Sequence, residues 1–358
     1  MKPEAESLRS RPRDSEALPG RDSPEPLRSA NALSNSAGGG PPARVDKGGA
    51  PRRSNPEAES LRSRPRDSEA LPGRGGGAPR RVRKRFGQHF LEPAWVEKLL
   101  RAVAPEADET FFEIGPGRGA LTRPLAARCG RVVAFEIDRD LAATLRDEAP
   151  RSLTIVEGDF MDVTADRLRD LLADTASSPR VVGNLPYNVA SPILFKLVEL
   201  SSAGIALADA TLMLQREVAD RLAASPGTRE YGVLSILIGH ATGVERLFTL
   251  PPGAFRPMPK VASAVVRLRF RPPDPPAADP EVFAAVVQAI FTRRRKTLAN
   301  ALLAYPAAGG SKTGRPSLVP EVLRLADLDG RRRPETFSIT ELVHLADAFA
   351  SVSRRAVL

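Results

Sequence analysis

The chain has 358 residues, a formal net charge of +10 and 42% hydrophobic residues, which is enough for one large or two small domains with packed cores. Its one cysteine, Cys129, excludes a disulfide framework and a cysteine-based zinc site, and its three widely separated histidines form no metal-binding pattern. No apolar segment reaches the about 18 residues that a membrane span needs. The basic pI is typical of proteins that bind nucleic acids.

The first 83 residues are predicted to be a disordered basic tail. This part is rich in Pro, Gly, Ser and Arg, and no aromatic residue precedes Phe86, so it buries too little apolar area to offset its chain entropy. The same 19-residue sequence occurs at Pro3–Arg21 and at Pro56–Arg74. The duplication has no periodic apolar face and does not resemble a solenoid unit. It indicates a recent duplication or translated upstream sequence, and the alternative is a flexible arm that contacts RNA.

From Phe86 onward, apolar segments of strand length alternate with helical patterns. The predicted strands are Phe111–Gly115, Arg131–Asp138, Ser152–Asp159, Arg180–Pro186, Thr211–Gln215 and Ser263–Phe270. The predicted helices are Ala120–Cys129, Leu141–Ala149, Ala165–Ala173, Pro192–Leu200 and Glu217–Ala224. This alternation predicts βαβ units and a parallel sheet, hence an α/β domain over 84–271. After a proline-rich linker, a second, helical domain is predicted over 277–358.

A glycine-rich turn follows the first predicted strand of the sheet. Its glycines, Gly115, Gly117 and Gly119, have the spacing G-x-G-x-G, with Glu113 two residues before the first. A dinucleotide-binding loop has the spacing G-x-G-x-x-G and places a pyrophosphate at the helix N-terminus. An acidic residue at position 113 would repel a pyrophosphate but suits a cationic ligand such as S-adenosylmethionine. A glycine turn without a ligand is the alternative for this loop taken alone.

Two further carboxylates follow the second and third strands. Glu136 lies 21 residues after Gly115, where a carboxylate can accept hydrogen bonds from both ribose hydroxyls of an adenosine. Asp159 ends the third strand, where it can accept from an adenine amino group. Taken alone, each is a solvated strand-end acid. Because carboxyl ends of parallel strands form one ligand-binding edge, the acids together predict a cofactor site there.

The fourth strand ends in Asn184-Leu185-Pro186-Tyr187. The alternative to a chemical role is an Asn-x-Pro turn with a core tyrosine. An exocyclic adenine nitrogen is a poor nucleophile, because its lone pair is delocalised into the ring. The Asn184 side-chain oxygen and a backbone carbonyl near Leu185–Pro186 can accept its two N–H bonds, and Tyr187 can stack on the flipped base. The segment therefore favours methyl transfer to an adenine nitrogen.

These motifs resemble the ribosomal RNA adenine N6-dimethyltransferase family, and in particular its bacterial 16S branch, known from kasugamycin resistance. The resemblance lies in Lys84–Leu91, Glu113–Thr122, Glu157–Asp159, Gly183–Leu194, Met213–Leu222, Phe255–Leu268 and Arg293–Leu302. It implies a Rossmann-like class I S-adenosylmethionine-dependent methyltransferase with a small all-helical C-terminal domain. The cofactor-binding residues it implies are His89, Leu91, Gly115, Gly117, Glu136, Asp159 and Asn184. The implied catalytic residues are Asn184, Leu185, Pro186, Tyr187 and Phe255, with Phe255 facing the target adenine across from Tyr187. Many members of the family carry Asn at the position of His89.

The resemblance implies a substrate of two adjacent adenosines in the 3′-terminal hairpin of 16S rRNA, each dimethylated within an immature small subunit. Arg293, Arg294, Arg295 and Lys296 are predicted to contact this rRNA, although a solvated helix face is the alternative. We expect a cytoplasmic monomer without a metal or a membrane partner. Three other functions are alternatives: a macrolide-resistance type 23S rRNA methyltransferase, a non-catalytic ribosome-assembly factor, and a nicotinamide dehydrogenase, which the glycine spacing disfavours.

Overall fold

The computed structural model describes residues 89–173, 175, 177–309 and 317–355, so the predicted tail at 1–83 and residues 84–88 lie outside the described residues. The strands are Phe90–Leu91 (β1), Thr110–Ile114 (β2), Arg131–Glu136 (β3), Leu153–Glu157 (β4), Arg180–Asn184 (β5), Asp209–Gln215 (β6), Thr242–Leu250 (β7), Phe255–Arg256 (β8) and Ser263–Phe270 (β9). The helices are Pro93–Val103 (α1), Thr122–Ala126 (α2), Arg139–Asp147 (α3), Ala165–Leu171 (α4), Ala190–Ser202 (α5), Arg216–Leu222 (α6), Val233–Ala241 (α7), Pro280–Thr292 (α8), Leu298–Leu302 (α9), Val319–Leu325 (α10) and Ile339–Arg355 (α11). All six predicted strands and the five predicted helices are confirmed within three residues at each end.

Seven strands form one sheet in the order β4-β3-β2-β5-β6-β9-β7. The five strands from β4 to β6 are parallel, as predicted, but β9 is antiparallel to both β6 and β7. The prediction of a purely parallel sheet is therefore wrong at this edge. No crossover helix lies between β7 and β9, and antiparallel strands need none, whereas parallel ones do. The chain order reverses between β2 and β5, and such a switch point opens a crevice at the carboxyl ends of the strands.

Helices cover both faces of the sheet, and the strands are buried on both sides as a result. Phe111 and Phe112 are adjacent in β2, are both almost fully buried and belong to different apolar clusters. Phe111 packs with Leu100 of α1, whereas Phe112 packs in the cluster that contains Leu194 of α5. Successive side chains of a strand point to opposite faces, so strands with helices on both sides need continuous apolar sequence.

The C-terminal helices α8 to α11 build a third apolar cluster, which also includes Tyr231 and Ile236. The Tyr231 hydroxyl donates to the Phe337 carbonyl at 3.0 Å. Helix α7 joins this cluster to the sheet, because Ile236 packs with the C-terminal helices while Ile238 packs with the sheet cluster. Within the described residues, no helix has both the length and the apolar character that crossing a membrane requires.

A partly buried charge network connects the amino ends of the parallel strands. Arg180, at the start of β5, forms ion pairs with Glu109 at 3.0 Å and with Asp209, at the start of β6, at 2.9 Å. It also donates to the Val103 carbonyl at the end of α1 at 2.8 Å. These bonds connect α1, β5 and β6 at the edge opposite the glycine turn. This network lies away from the carboxyl ends of the strands, where the glycine turn follows β2.

Candidate active site

A cavity of about 460 Å³ opens at the carboxyl ends of β2 to β5, at the switch point of the sheet. The predicted site residues that line it are His89, Leu91, Gly115, Gly117, Glu136, Asp159, Asn184, Leu185, Pro186 and Tyr187. Glu113 and Met213 also contribute to the wall. The structure therefore brings together all the predicted cofactor-binding residues and four of the five predicted catalytic residues. Among the described residues, no group of three or more His, Cys, Asp and Glu side chains could hold a metal ion.

The glycine turn has a backbone conformation that side chains disfavour. Gly117 and Gly119 have φ angles of +59° and +78°, in the left-handed region. A Cβ atom on Gly119 would lie 2.7 Å from the Leu145 side chain, so the turn also has no room there. Backbone can consequently approach a ligand closely along one side of the cavity.

Glu136 ties the glycine turn to the end of β3. One carboxylate oxygen accepts the Gly117 N–H and the other accepts the Asp138 N–H, each at 2.9 Å. Burial raises the pKa of Glu136, and the two N–H groups oppose this shift. Each carboxylate oxygen has a further lone pair, so both can still accept from a pair of ligand hydroxyls.

Among the carboxyl groups of the cavity wall, that of Glu113 has the most strongly shifted pKa. It is 2% exposed, and its Oε2 atom has no hydrogen-bond partner in the described part of the chain. Burial raises the pKa of Glu113 from 4.5 to about 8, and the charge of Glu136 adds to this shift. A buried carboxyl without a partner is unfavourable in its ionised form, so the position suits a cationic ligand that would supply the partner.

Asn184 is oriented by the main chain of His89. Its side-chain nitrogen donates to the His89 carbonyl at 2.8 Å, which leaves the amide oxygen to accept from another group. The Pro186 carbonyl accepts the Val189 N–H at 3.1 Å, whereas no hydrogen bond within the described residues reaches the Leu185 carbonyl. The sequence predicts that one backbone carbonyl near Leu185–Pro186 accepts from an adenine. The Leu185 carbonyl is the one of these two without a hydrogen bond in the described part of the chain, so it is the candidate.

Tyr187 is held by two residues outside its own segment. Its hydroxyl is 2.8 Å from the Ser263 hydroxyl, and its ring stacks on the His89 ring with centroids 5.8 Å apart and planes inclined by 28°. The Nδ1 atom of His89 lies 2.7 Å from the carbonyl oxygen of Pro257. The sequence predicts no role for Ser263 or Pro257, although both lie within the motif Phe255–Leu268.

Phe255 does not line this cavity. It is 1% exposed, pairs with Leu91 between β1 and β8, and packs in the core cluster that includes Leu250 and Val265. Its ring is buried in this structure, and its contact with a base across from Tyr187 stays a prediction. Its backbone instead supports Leu91, which does line the cavity.

The predicted RNA-contacting cluster follows α8 and contains residues of different kinds. Arg294 donates to the Thr228 and Arg229 carbonyls at 2.9 and 2.6 Å, and therefore supports a neighbouring loop. Arg295 and Lys296 are exposed. Arg293 is half-buried, with its guanidinium 3.5 Å from the Asn300 carbonyl, so the cluster has two exposed cations and two partly buried ones.

Comparison with known proteins gives a consistent result. The profile described as "Ribosomal RNA adenine dimethylase" matches residues 80–341. The chain is 44% identical to the ribosomal RNA small subunit methyltransferase A of Aromatoleum aromaticum, over 69% of this chain and 91% of that protein. It is 41% identical to the protein of the same name from Acinetobacter baylyi, over 75% and 92%.

Two solved structures share the fold. A dimethyladenosine transferase from Plasmodium falciparum matches with a TM-score of 0.57 and 22% identity, over 72% of this chain and 96% of that one. The 23S rRNA methyltransferase ErmE matches with a TM-score of 0.51 and 26% identity, over 73% and 99%. The Rossmann-like methyltransferase fold predicted from the sequence is confirmed.

The raised pKa of Glu113 predicts how stability depends on pH. Between pH 4.5 and about 8, the unfolded chain loses this proton while the folded chain keeps it, so the contribution of Glu113 to stability falls as pH rises and levels off above pH 8. Glu113→Gln cannot titrate. The unfolding free energy of the wild type minus that of Glu113→Gln, measured in urea without a cofactor, should therefore decrease from pH 5 to pH 8. Glu199→Gln, at an exposed carboxyl, is the control, and a difference that does not change with pH would contradict the prediction.

Proposed function

The chain belongs to the ribosomal RNA adenine dimethylase family, and on that premise we propose that it dimethylates N6 of two adjacent adenosines in the 3′-terminal hairpin of 16S rRNA. S-adenosylmethionine is the methyl donor. The observation that carries the proposal is that the wall of the cavity has two halves of different chemistry. Buried and strand-end carboxylates line the first half, and Asn184 to Tyr187 line the second.

The first half of the wall fits S-adenosylmethionine. The Oε2 atom of Glu113 is a buried acceptor without a partner in the described part of the chain, and the ammonium or sulfonium group of the cofactor would supply one and stabilise the ionised carboxylate. Glu136 would accept the ribose hydroxyls, and Asp159, whose Oδ1 atom already accepts the Met161 N–H at 2.9 Å, would accept the adenine amino group with its other oxygen. The cofactor supplies a methyl group on a positively charged sulfur. His89, Leu91, Gly115, Gly117 and Asn184 complete the proposed set.

The second half of the wall fits an adenine base. Asn184 Oδ1 and the Leu185 carbonyl would accept the two N6 hydrogens and draw the nitrogen lone pair out of conjugation with the ring. Tyr187 would stack on the base, and base–aromatic stacking is worth about 1–3 kcal/mol. Holding donor and acceptor in one geometry can lower a barrier by about 7–11 kcal/mol. Phe255 pairs with Leu91 and would support the first half of the wall from there.

The specific substrate rests on the relatives. Relatives named small subunit methyltransferase A are 41–46% identical to this chain, against 26% for the 23S rRNA enzyme. This difference favours 16S rRNA over the macrolide-resistance type of substrate. The complete set of carboxylates and the Asn184–Tyr187 segment favour catalysis over a purely structural role in ribosome assembly.

The choice of substrate can be tested directly. Purified protein with labelled S-adenosylmethionine is incubated with undermethylated small subunits or with large subunits, and the rRNA is analysed by mass spectrometry. We expect N6,N6-dimethyladenosine at two adjacent positions of 16S rRNA only. Product in 23S rRNA alone would overturn the 16S assignment, and absence of product in both would favour the assembly-factor alternative.

The role of Asn184 predicts the effect of its removal. Asn184→Ala deletes one of the two acceptors for the N6 hydrogens, so the rate of methyl transfer should fall by at least about 100-fold. Cofactor binding, measured by calorimetry, should weaken but stay measurable, since the carboxylates of the first half remain. Asn188→Ala, in the same turn and at the cavity wall, is the matched control with near-normal turnover expected. Near-normal turnover in Asn184→Ala itself would exclude the lone-pair mechanism.

The basic C-terminal part would bind the rRNA of the immature small subunit, and we propose that it does so as a monomer. Arg295 and Lys296 are the candidates for phosphate contacts, because both are exposed while Arg294 is engaged within the fold. The cavity with its carboxylates lies in a segment, 86–254, that is net acidic. The acidic segment would bind the cofactor and the basic C-terminal part would bind the RNA, so the two ligands would bind to parts of opposite net charge.

Salt dependence provides the measurement for these contacts. Each phosphate contact contributes about 0.7–0.9 to the slope of log affinity against log salt concentration. Arg295→Gln with Lys296→Gln should therefore weaken subunit binding and flatten the slope by about 1.4–1.8. Arg128→Gln, at the sheet edge opposite the cavity, should leave the slope unchanged. An unchanged slope in the double variant would remove these two residues from the interface.

A further inference from the structure

One short loop beside the cavity exposes two large apolar side chains. We call the segment 256–262 the proline loop; it connects β8 to β9 and contains Pro257 and Pro259. Met258 is 61% exposed and Val261 45%, and Met258 is the most exposed large apolar side chain in the described part of the chain. In the C-terminal helical part, Leu303 is 44% exposed and Leu325 41%. Exposed apolar side chains that cluster indicate a contact surface.

The proline loop is held rigidly at both ends. At its start, Arg256 and the preceding Phe255 pair with β1, and at its end the Ala262 carbonyl accepts the Arg216 N–H at 3.0 Å. Pro259 is buried between the two exposed side chains. Because prolines also reduce the freedom of the unbound loop, little conformational entropy would be lost when a partner binds.

The loop also forms part of the support of the proposed base-binding wall. The Pro257 carbonyl contacts the His89 ring at 2.7 Å, the His89 ring stacks on Tyr187, and Tyr187 contacts Ser263 directly after the loop. Met258 is thus adjacent in sequence to a residue that touches the cavity wall. Arg256 and Lys260 are exposed on the same loop, and Arg256 pairs with Glu92 at 3.2 Å.

A nucleotide next to the target has the chemistry that this surface fits. When a base leaves its stack to reach an enzyme pocket, the face of its neighbour loses its stacking partner, and apolar side chains of other proteins fill such gaps. Met and Val supply an apolar face of this kind, while a lysine beside them suits the backbone phosphate.

We propose that the proline loop is a wedge for the rRNA: Met258 and Val261 pack on the nucleotide adjacent to the adenosine in the cavity and take the stacking place that this adenosine leaves. The wedge rests on the proposed function. The two target adenosines are adjacent in sequence. When one of them lies in the cavity, the nucleotide on the wedge can therefore be the other target. The loop would then affect methylation of the pair without touching the cofactor.

The test compares Met258→Ala/Val261→Ala with Leu303→Ala, an equally exposed apolar side chain in the helical part, and with Met258→Leu. Single-turnover methylation of undermethylated small subunits should slow by about 5- to 100-fold in the double variant, since a stacking contact is lost. Leu303→Ala and Met258→Leu should remain near the wild-type rate. Cofactor affinity by calorimetry and the melting temperature should be unchanged in all variants, because the altered side chains face solvent.

A second substrate separates a wedge from a general surface effect. Small subunits are reconstituted with a synthetic 3′ rRNA segment that lacks the base next to the target, so that no neighbouring face remains to be stacked. On this substrate the double variant and the wild type should react at equal rates. Equal rates on the normal subunit, or an equal loss on both substrates, would overturn the wedge while leaving the proposed function intact. No transfer by the wild type would overturn the proposed function and the wedge with it.

Discussion

Burial of carboxyl groups at the carboxyl edge of a parallel sheet is the constraint on which the rest of the structure depends. Glu113 and Glu136 end adjacent strands at 2% and 3% exposure. Glu136 is compensated by two backbone N–H groups of the turns beside it, whereas Glu113 keeps an oxygen without a partner. An uncompensated buried carboxyl destabilises the folded chain, so the fold must be held together elsewhere.

That compensation lies at the other end of the strands and in the apolar layers. Arg180 joins Glu109 and Asp209 in a nearly buried network, and its ion pairs lie at the amino edge. Helix α7 connects the sheet core to the helical core through Ile238 and Ile236. A rigid amino edge and two packed faces allow the carboxyl edge to keep a buried carboxyl oxygen without a partner in the described part of the chain, which is the usual division between scaffold and site.

Most of the sheet was predictable because its strands are continuous apolar segments that end in recognisable polar residues. Helices α1 and α7 and strand β7 were not predicted, for different reasons. Helix α1 has the apolar spacing of Val96, Leu99, Leu100 and Val103, a readable helical signal. Helix α7 lies between the sheet core and the helical core, so it has no polar, solvent-facing side whose spacing would indicate a helix. Strand β7 lies at the edge of the sheet and exposes Glu245 and Arg246 there. The cavity residues were predictable from strand-end chemistry, but the contact of His89 with Tyr187 and the burial of Phe255 depend on tertiary packing.

The arrangement of charge also constrains how an RNA can enter the site. Glu113, Glu136 and Asp159 line the cavity, so a phosphate there would meet carboxyl groups. A neutral base meets no such repulsion, and the residues beside the Asn184–Tyr187 wall are cationic or apolar at the rim, with Lys260 and Met258 on the proline loop. The acidic wall thereby favours a cationic cofactor and, in the proposed function, discriminates against every part of the rRNA except an extruded base. Cofactor binding and base selection would then follow from the same set of cavity carboxylates.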